Sequence, residues 1–181
     1  MWGWGLILSH EETVAALFRE TDRAQRMKMP LALIKLGIVA WDGGRFEPGE
    51  PGFEVALREI VDRITPLLRC YDSVGQMDDR EFLLVLPGCT AFNATTLAER
   101  LRDEVFALPA QGCASEMRFQ ACFSVASSDG RSPFVVLREV DLALLSARSE
   151  GACAIRCVPA REEIDPGVFL LPALHDETLH W

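Results

Sequence analysis

Arginine is the residue type in this chain best suited to ligand chemistry: of its 18 basic residues, 16 are arginine and only Lys28 and Lys35 are lysine. A guanidinium is a flat fork of donors that fits a phosphate or the O6/N7 edge of guanine, whereas an ammonium is a point charge. High-GC coding alone produces the same bias, so an arginine counts as a ligand residue only where its neighbours supply the rest of a site. The six cysteines, Cys70, Cys89, Cys113, Cys122, Cys153 and Cys157, contain no CxxC pair, and no histidine or cysteine cluster stands at zinc spacing. They read as reduced, mostly buried thiols of a cytoplasmic protein.

The elements that must position these groups belong to a chain of 181 residues, 49% hydrophobic and 25% charged. A chain of that size removes roughly 70% of its unfolded surface from water, enough for one core without a disulfide or metal staple. The net charge of −9 argues against non-specific binding to nucleic acid or anionic lipid, both of which need a positive field. The opening Met1-Trp2-Gly3-Trp4-Gly5-Leu6-Ile7-Leu8 lacks a basic stretch and is short, so it reads as neither signal peptide nor membrane span.

Ser9 and Glu12 form a capping-box pattern ahead of Val14, Leu17, Phe18, Ala24 and Met27, which predicts a helix ending before Pro30. Leu31 to Ala40 is a nearly continuous apolar run, suited to a central strand buried on both faces. Residues 42–52 read as a loop, and 55–68 as a helix whose last turn is distorted by Pro66. Asp72 to Met77 and Glu81 to Pro87 predict a hairpin with a tight turn at Asp78-Asp79. A helix over 91–107, a strand over 118–127, a helix from Pro133 to about Arg148 capped by Ser132, and a short strand over 153–158 complete the order. The expected fold is α/β (α+β), a mostly antiparallel sheet of about five strands flanked by helices, formed by residues 1–158. The tail, 159–181, has three readings: packed on the domain, presenting Phe169-Leu170-Leu171-Pro172 to a partner, or disordered.

The segment Arg69-Cys70-Tyr71-Asp72, five residues, and then Asp78-Asp79-Arg80-Glu81-Phe82 running into Leu-Leu-Val-Leu-Pro resembles the GGDEF family of diguanylate cyclases. Leu97-Ala98-Glu99-Arg100-Leu101-Arg102, and the run Val140 to Arg148 followed by Gly151, add matches in the same order, and the resemblance spans roughly residues 10–158. It implies the nucleotidyl-cyclase-like fold. Active members join two GTP molecules, held with magnesium, into cyclic di-GMP, a chemistry that needs carboxylates in fixed places.

At those places the sequence departs from the family pattern. Gly37 stands where the resemblance puts the first metal aspartate and Val39 where it puts the second acid. The two signature glycines are Asp78 and Asp79, and the third position, normally an acid, is Arg80; only Glu81 and Phe82 match. The loop Trp41-Asp42-Gly43-Gly44-Arg45-Phe46 lacks the family's substrate-reading Asn and Asp, and Arg148 keeps the charge of the triphosphate-contacting lysine while a later arginine is Ala152. The implication is a degenerate domain without cyclase activity and without a magnesium cofactor. Arg80 in the place of a metal charge, allowing GTP to bind without turnover, is the weaker alternative.

The resemblance also implies a second site. In the family an RxxD motif five residues before the signature is the inhibitory I-site for cyclic di-GMP, and Arg69 and Asp72 stand at that spacing, with Arg100 where a further arginine is supplied. Arg69 suits a guanine edge or a phosphate, ionised Asp72 can accept from guanine N1–H and N2–H, and Arg100 adds positive charge. Each residue also has an ordinary role, as a helix-end cation, a strand start and a solvated helix charge. The expectation is a cyclic di-GMP receptor that signals to a protein partner in trans, with a ligand-bridged homodimer as a further implication. The rival is a nucleotide-independent interaction module.

Overall fold

The computed structural model describes the backbone of residues 7–40, 51–107 and 119–159. Its elements are β1 (Ile7–Leu8), α1 (His10–Met27), β2 (Leu31–Ala40), α2 (Pro51–Ile64), β3 (Ser73–Asp78), β4 (Glu81–Pro87), α3 (Ala91–Arg100), β5 (Phe119–Ser127), α4 (Pro133–Glu150) and β6 (Ile155–Cys157). A 3-10 turn, Thr65–Leu67, follows α2, and a π-helical turn, Leu101–Val105, follows α3.

The strands form one six-stranded sheet in the order β1-β3-β4-β2-β5-β6. Its four inner strands are antiparallel, while β1 on β3 and β6 on β5 are parallel. The sheet is therefore mixed and has six strands where the sequence predicts about five. The missed strand, β1, is two residues long and exists only through its pairing with Val74 and Gly75.

Side chains alternate across a strand, so β2 serves two layers. Its Ala32, Ile34, Leu36 and Ile38 join α2, α3 and the even-numbered residues of β4 in the larger core, which includes Phe82, Leu84 and Phe123. Leu31 and Leu33 point to the other face, where Leu83, Val85, Val136 and Val140 pack with Leu17 of α1. Covered on both faces, β2 carries the unbroken apolar run of a central strand.

The local signals held in most places. Ser9 and Glu12 form the reciprocal capping box of α1, and Pro66 lies in the 3-10 turn that ends the helix begun by α2. Four corrections are needed. α2 begins at Pro51, inside the stretch assigned to a loop. The hairpin turn falls on Asp79 and Arg80, one residue later than expected, because Asp78 still pairs with Glu81 after a bulge following Gln76. Ser132 precedes α4 without a side-chain capping bond. Of the five cysteines described, all unpaired, Cys89 and Cys122 are buried, Cys153 is half-buried, and Cys70 and Cys157 are exposed. The expectations for Cys113, the loop 41–46 and the tail beyond Pro159 lie outside the described residues. Among those residues no helix is long and apolar enough to cross a membrane.

Candidate functional site

Arg69, Asp72 and Arg100 come together at one end of the sheet. The 3-10 turn delivers the chain to Arg69, the turn before β3 places Asp72, and the last residue of α3 is Arg100. All three line a single cleft of about 260 Å³, with Leu67 and Leu86 beneath and Asn93 and Thr96 of α3 alongside.

The turn is held by the backbone. Asp72 N–H donates to the Arg69 carbonyl at 3.0 Å, and the Asp72 Oδ2 accepts the Arg69 backbone N–H at 2.8 Å. The Arg69 guanidinium goes elsewhere: its Nη1 donates to the Tyr71 hydroxyl at 3.1 Å, and the cation stands 5.9 Å from the centre of the Tyr71 ring. A neutral hydroxyl and an aromatic face leave its charge uncancelled, so it stays able to pair with an anion. Burial pushes the Asp72 carboxyl up, the Arg69 N–H and charge pull it back, and the net direction is upward.

Arg100 is tied more loosely. Its Nε lies 3.4 Å from Glu104 Oε1, an exposed i,i+4 pair that spans the start of the π-helical turn. Such pairs contribute at most about 1 kcal/mol, so Glu104 is a weak competitor for the guanidinium. A second depression of about 340 Å³ lies on the far side of Tyr71, walled by Ala24, Met29, Pro30 and Pro87. It also carries a guanidinium and a carboxylate, but these, Arg23 and Glu20, pair with each other at 3.7 Å.

The signature turn lies at the other end of the hairpin. Asp78 and Asp79 are exposed, and Asp78 Oδ1 accepts the Arg80 N–H at 2.8 Å. Neither Asp79 nor Arg80 has a positive φ, so this turn has no need of glycine. The Arg80 carbonyl accepts the Ile38 N–H at 2.8 Å, which extends the β2–β4 ladder.

Next to that turn lies a charged network that the sequence did not reveal. Gly37 pairs with Glu81 across β2 and β4. Glu81 Oε1 is 2.6 Å from Arg148 Nη2, and its Oε2 is 2.7 Å from Lys35 Nζ, which also reaches Asp141 Oδ1 at 2.5 Å. A Cβ placed on Gly37 would overlap Nη2 of Arg148. The guanidinium therefore stands in the space that a side chain at position 37 would enter. Burial disfavours the charge on Lys35, but Asp141 and Glu81 more than offset it and raise its pKa. Glu81 is the mirror case, pushed up by burial and brought below the ordinary carboxylate range by Lys35 and Arg148. The missed signal was Lys35 itself, a charge inside an apolar strand.

Magnesium requires several oxygen ligands around one point. These residues do not fit it: position 37 has no side chain, a guanidinium occupies its front, and Glu81 and Asp141 are already bound to internal cations. Among the described residues no three histidine, cysteine, aspartate or glutamate side chains converge to hold a metal ion.

Residues 9–153 match the family model described as Diguanylate cyclase, GGDEF domain. The chain is 27% identical over 100 residues to the bifunctional diguanylate cyclase/cyclic di-GMP phosphodiesterase MucR of Pseudomonas aeruginosa, a match covering 54% of this chain and 14% of that protein. Its fold is shared with the diguanylate cyclase SiaD of Pseudomonas aeruginosa, solved with its activator SiaC, at TM-score 0.68 and 24% identity over 83% of this chain and 58% of that one. The GGDEF domain of DgcB from Caulobacter crescentus, solved in complex with c-di-GMP, has TM-score 0.67 and 16% identity over 85% of this chain and 90% of that one. The six-stranded sheet, its flanking helices and the length of the family match lead to one conclusion: the chain belongs to the GGDEF domain family of diguanylate cyclases.

Proposed function

We propose that this chain is a catalytically silent GGDEF domain that serves as a receptor for cyclic di-GMP, bound through Arg69, Asp72 and Arg100, and that it signals to a protein partner. The observation that carries the reading is that those three residues line one open cleft of about 260 Å³. That volume is just under the roughly 300 Å³ at which pockets begin to engulf a drug-sized ligand, so the dinucleotide would lie partly outside it. Arg69 would fork onto a guanine edge or a phosphate, Asp72 would accept from the guanine N–H groups, and Arg100 would face the second phosphate.

Silence rests on the other end of the hairpin. Cyclisation needs a cation-bound triphosphate beside carboxylates, and at that place the chain has Gly37, Arg80 and an internal Lys35–Glu81–Arg148 network. The protein partner is the class of ligand with which SiaD, a domain of the same fold, is solved.

Calorimetric titration with cyclic di-GMP tests the receptor reading. Binding is expected below about 10 μM, and Arg69→Ala or Asp72→Ala should weaken it at least about tenfold. No heat at ligand concentrations near about 100 μM would overturn the reading and leave the nucleotide-independent module in its place. Incubation with GTP and magnesium should release no pyrophosphate above a protein-free blank, and turnover abolished by Arg80→Ala would refute the silent assignment.

A further inference from the structure

The outward face of α4 carries an apolar stripe. Val136, Val140, Leu144 and Ala147 face the sheet, yet Phe134, Val135, Leu142 and Leu145 are 68%, 46%, 55% and 58% exposed on the opposite side. The Phe134 ring is held in place by Phe18 of α1, edge to face at 4.9 Å. Large side chains clustered this way on one helix face mark a contact surface.

The order of residues along that face indicates what covers it. At 100° per residue, Phe134, Arg138, Asp141 and Leu145 fall on one narrow stripe, separated by four, three and four positions. The spacing reads the same in both directions, and the chemistry reads apolar, basic, acidic, apolar. Two such stripes laid antiparallel place Phe134 against the second copy's Leu145 and Arg138 against its Asp141, twice over. Laid parallel, they would set arginine on arginine and aspartate on aspartate. Arg138 is exposed and has no ion-pair partner among the described residues. Asp141 holds Lys35 on its inner side, and its side chain remains 45% exposed.

We propose that this face is a homodimer interface in which two copies of α4 pair antiparallel about a twofold axis near residues 139 and 140. The contact is isologous, with each copy supplying the same patch. The apolar ends provide the affinity and the two Arg138–Asp141 pairs fix the direction. Spacings of four and three residues suit the shallow crossing of heptad-like helix pairs. One helix pair buries less than the roughly 800 Å² per partner of stable interfaces, so dissociation is expected at about 10 μM.

Sedimentation velocity on the full chain without nucleotide, from about 1 to 100 μM, should show a monomer–dimer equilibrium. Leu145→Glu and Arg138→Glu should each raise the dissociation constant at least about tenfold with circular dichroism and thermal midpoint unchanged. Both positions are solvent-exposed, and either variant alone suffices if the other fails to fold. Arg69→Ala should leave the dimer intact, which separates this interface from any dimer bridged through the dinucleotide site. A chain monomeric throughout, a dimer that neither α4 variant weakens, or one that forms only with cyclic di-GMP present would overturn the proposal.

Discussion

Lys35 interrupts a strand built otherwise from apolar side chains, and the chain tolerates it because two carboxylates from different elements meet its ammonium. Lys35→Met should destabilise the fold by about 2 kcal/mol in urea titration, less than the roughly 3–5 kcal/mol of a fully uncompensated buried charge. The cost is reduced because Arg148 stays on Glu81 and Asp141 reaches solvent. The pH dependence follows from the two shifts. Glu81 is lowered from 4.5, so its stabilisation is present above that value and is lost as pH falls through the depressed folded pKa. Lys35 is raised from 10.5, so its stabilisation is present below that value and is lost as pH rises through the folded pKa above it. The stability gap between wild type and Lys35→Met should therefore be flat across neutral pH and should narrow at both extremes. At the proposed ligand site, Glu104→Gln should free Arg100 and tighten cyclic di-GMP about two- to fivefold by calorimetry, the most an exposed pair can withhold.

At the scale of elements, the contact of α1 with β3 rests on Gly75. A Cβ there would overlap the Thr13 side chain, which is fully buried and donates to the Ser9 carbonyl at 2.6 Å. Gly75→Ala should cost about 1–3 kcal/mol, seen as a lower urea midpoint with an unchanged slope. Local chemistry explains which elements could be read in advance. The Ser9–Glu12 box, the apolar run of β2 and Pro66 act within a few residues of themselves, so sequence exposes them. β1 owes its existence to a strand more than sixty positions away, and the Lys35–Asp141 contact spans 106 positions, which no local pattern encodes. Two residues of the proposed dinucleotide site, Arg69 and Asp72, share one turn, so their proximity was legible in the sequence. Only Arg100 had to be carried across from α3 by the fold, and it lines the same cleft.

For the whole molecule, the charge of −9 would repel the proposed anionic dinucleotide at long range while Arg69 and Arg100 would attract it at contact. Salt shortens the Debye length from about 30 Å at 0.01 M to about 8 Å at 0.15 M, removing the distant repulsion before the contact attraction. Stopped-flow association of cyclic di-GMP should therefore speed up across that interval; a steady decline would show that the local cluster governs the approach as well. The guanidinium lodged against Gly37 bears on the paths open to the sequence over time. An aspartate introduced at position 37 would meet a resident cation and be neutralised by it, so that substitution alone creates no metal site. Replacing Arg148 first would remove one of the two cations that hold Glu81, a loss with no immediate gain. Under the proposed catalytic silence, each single step toward a metal centre is thus neutral or harmful by itself, and the internal ion network stands as a barrier to building one.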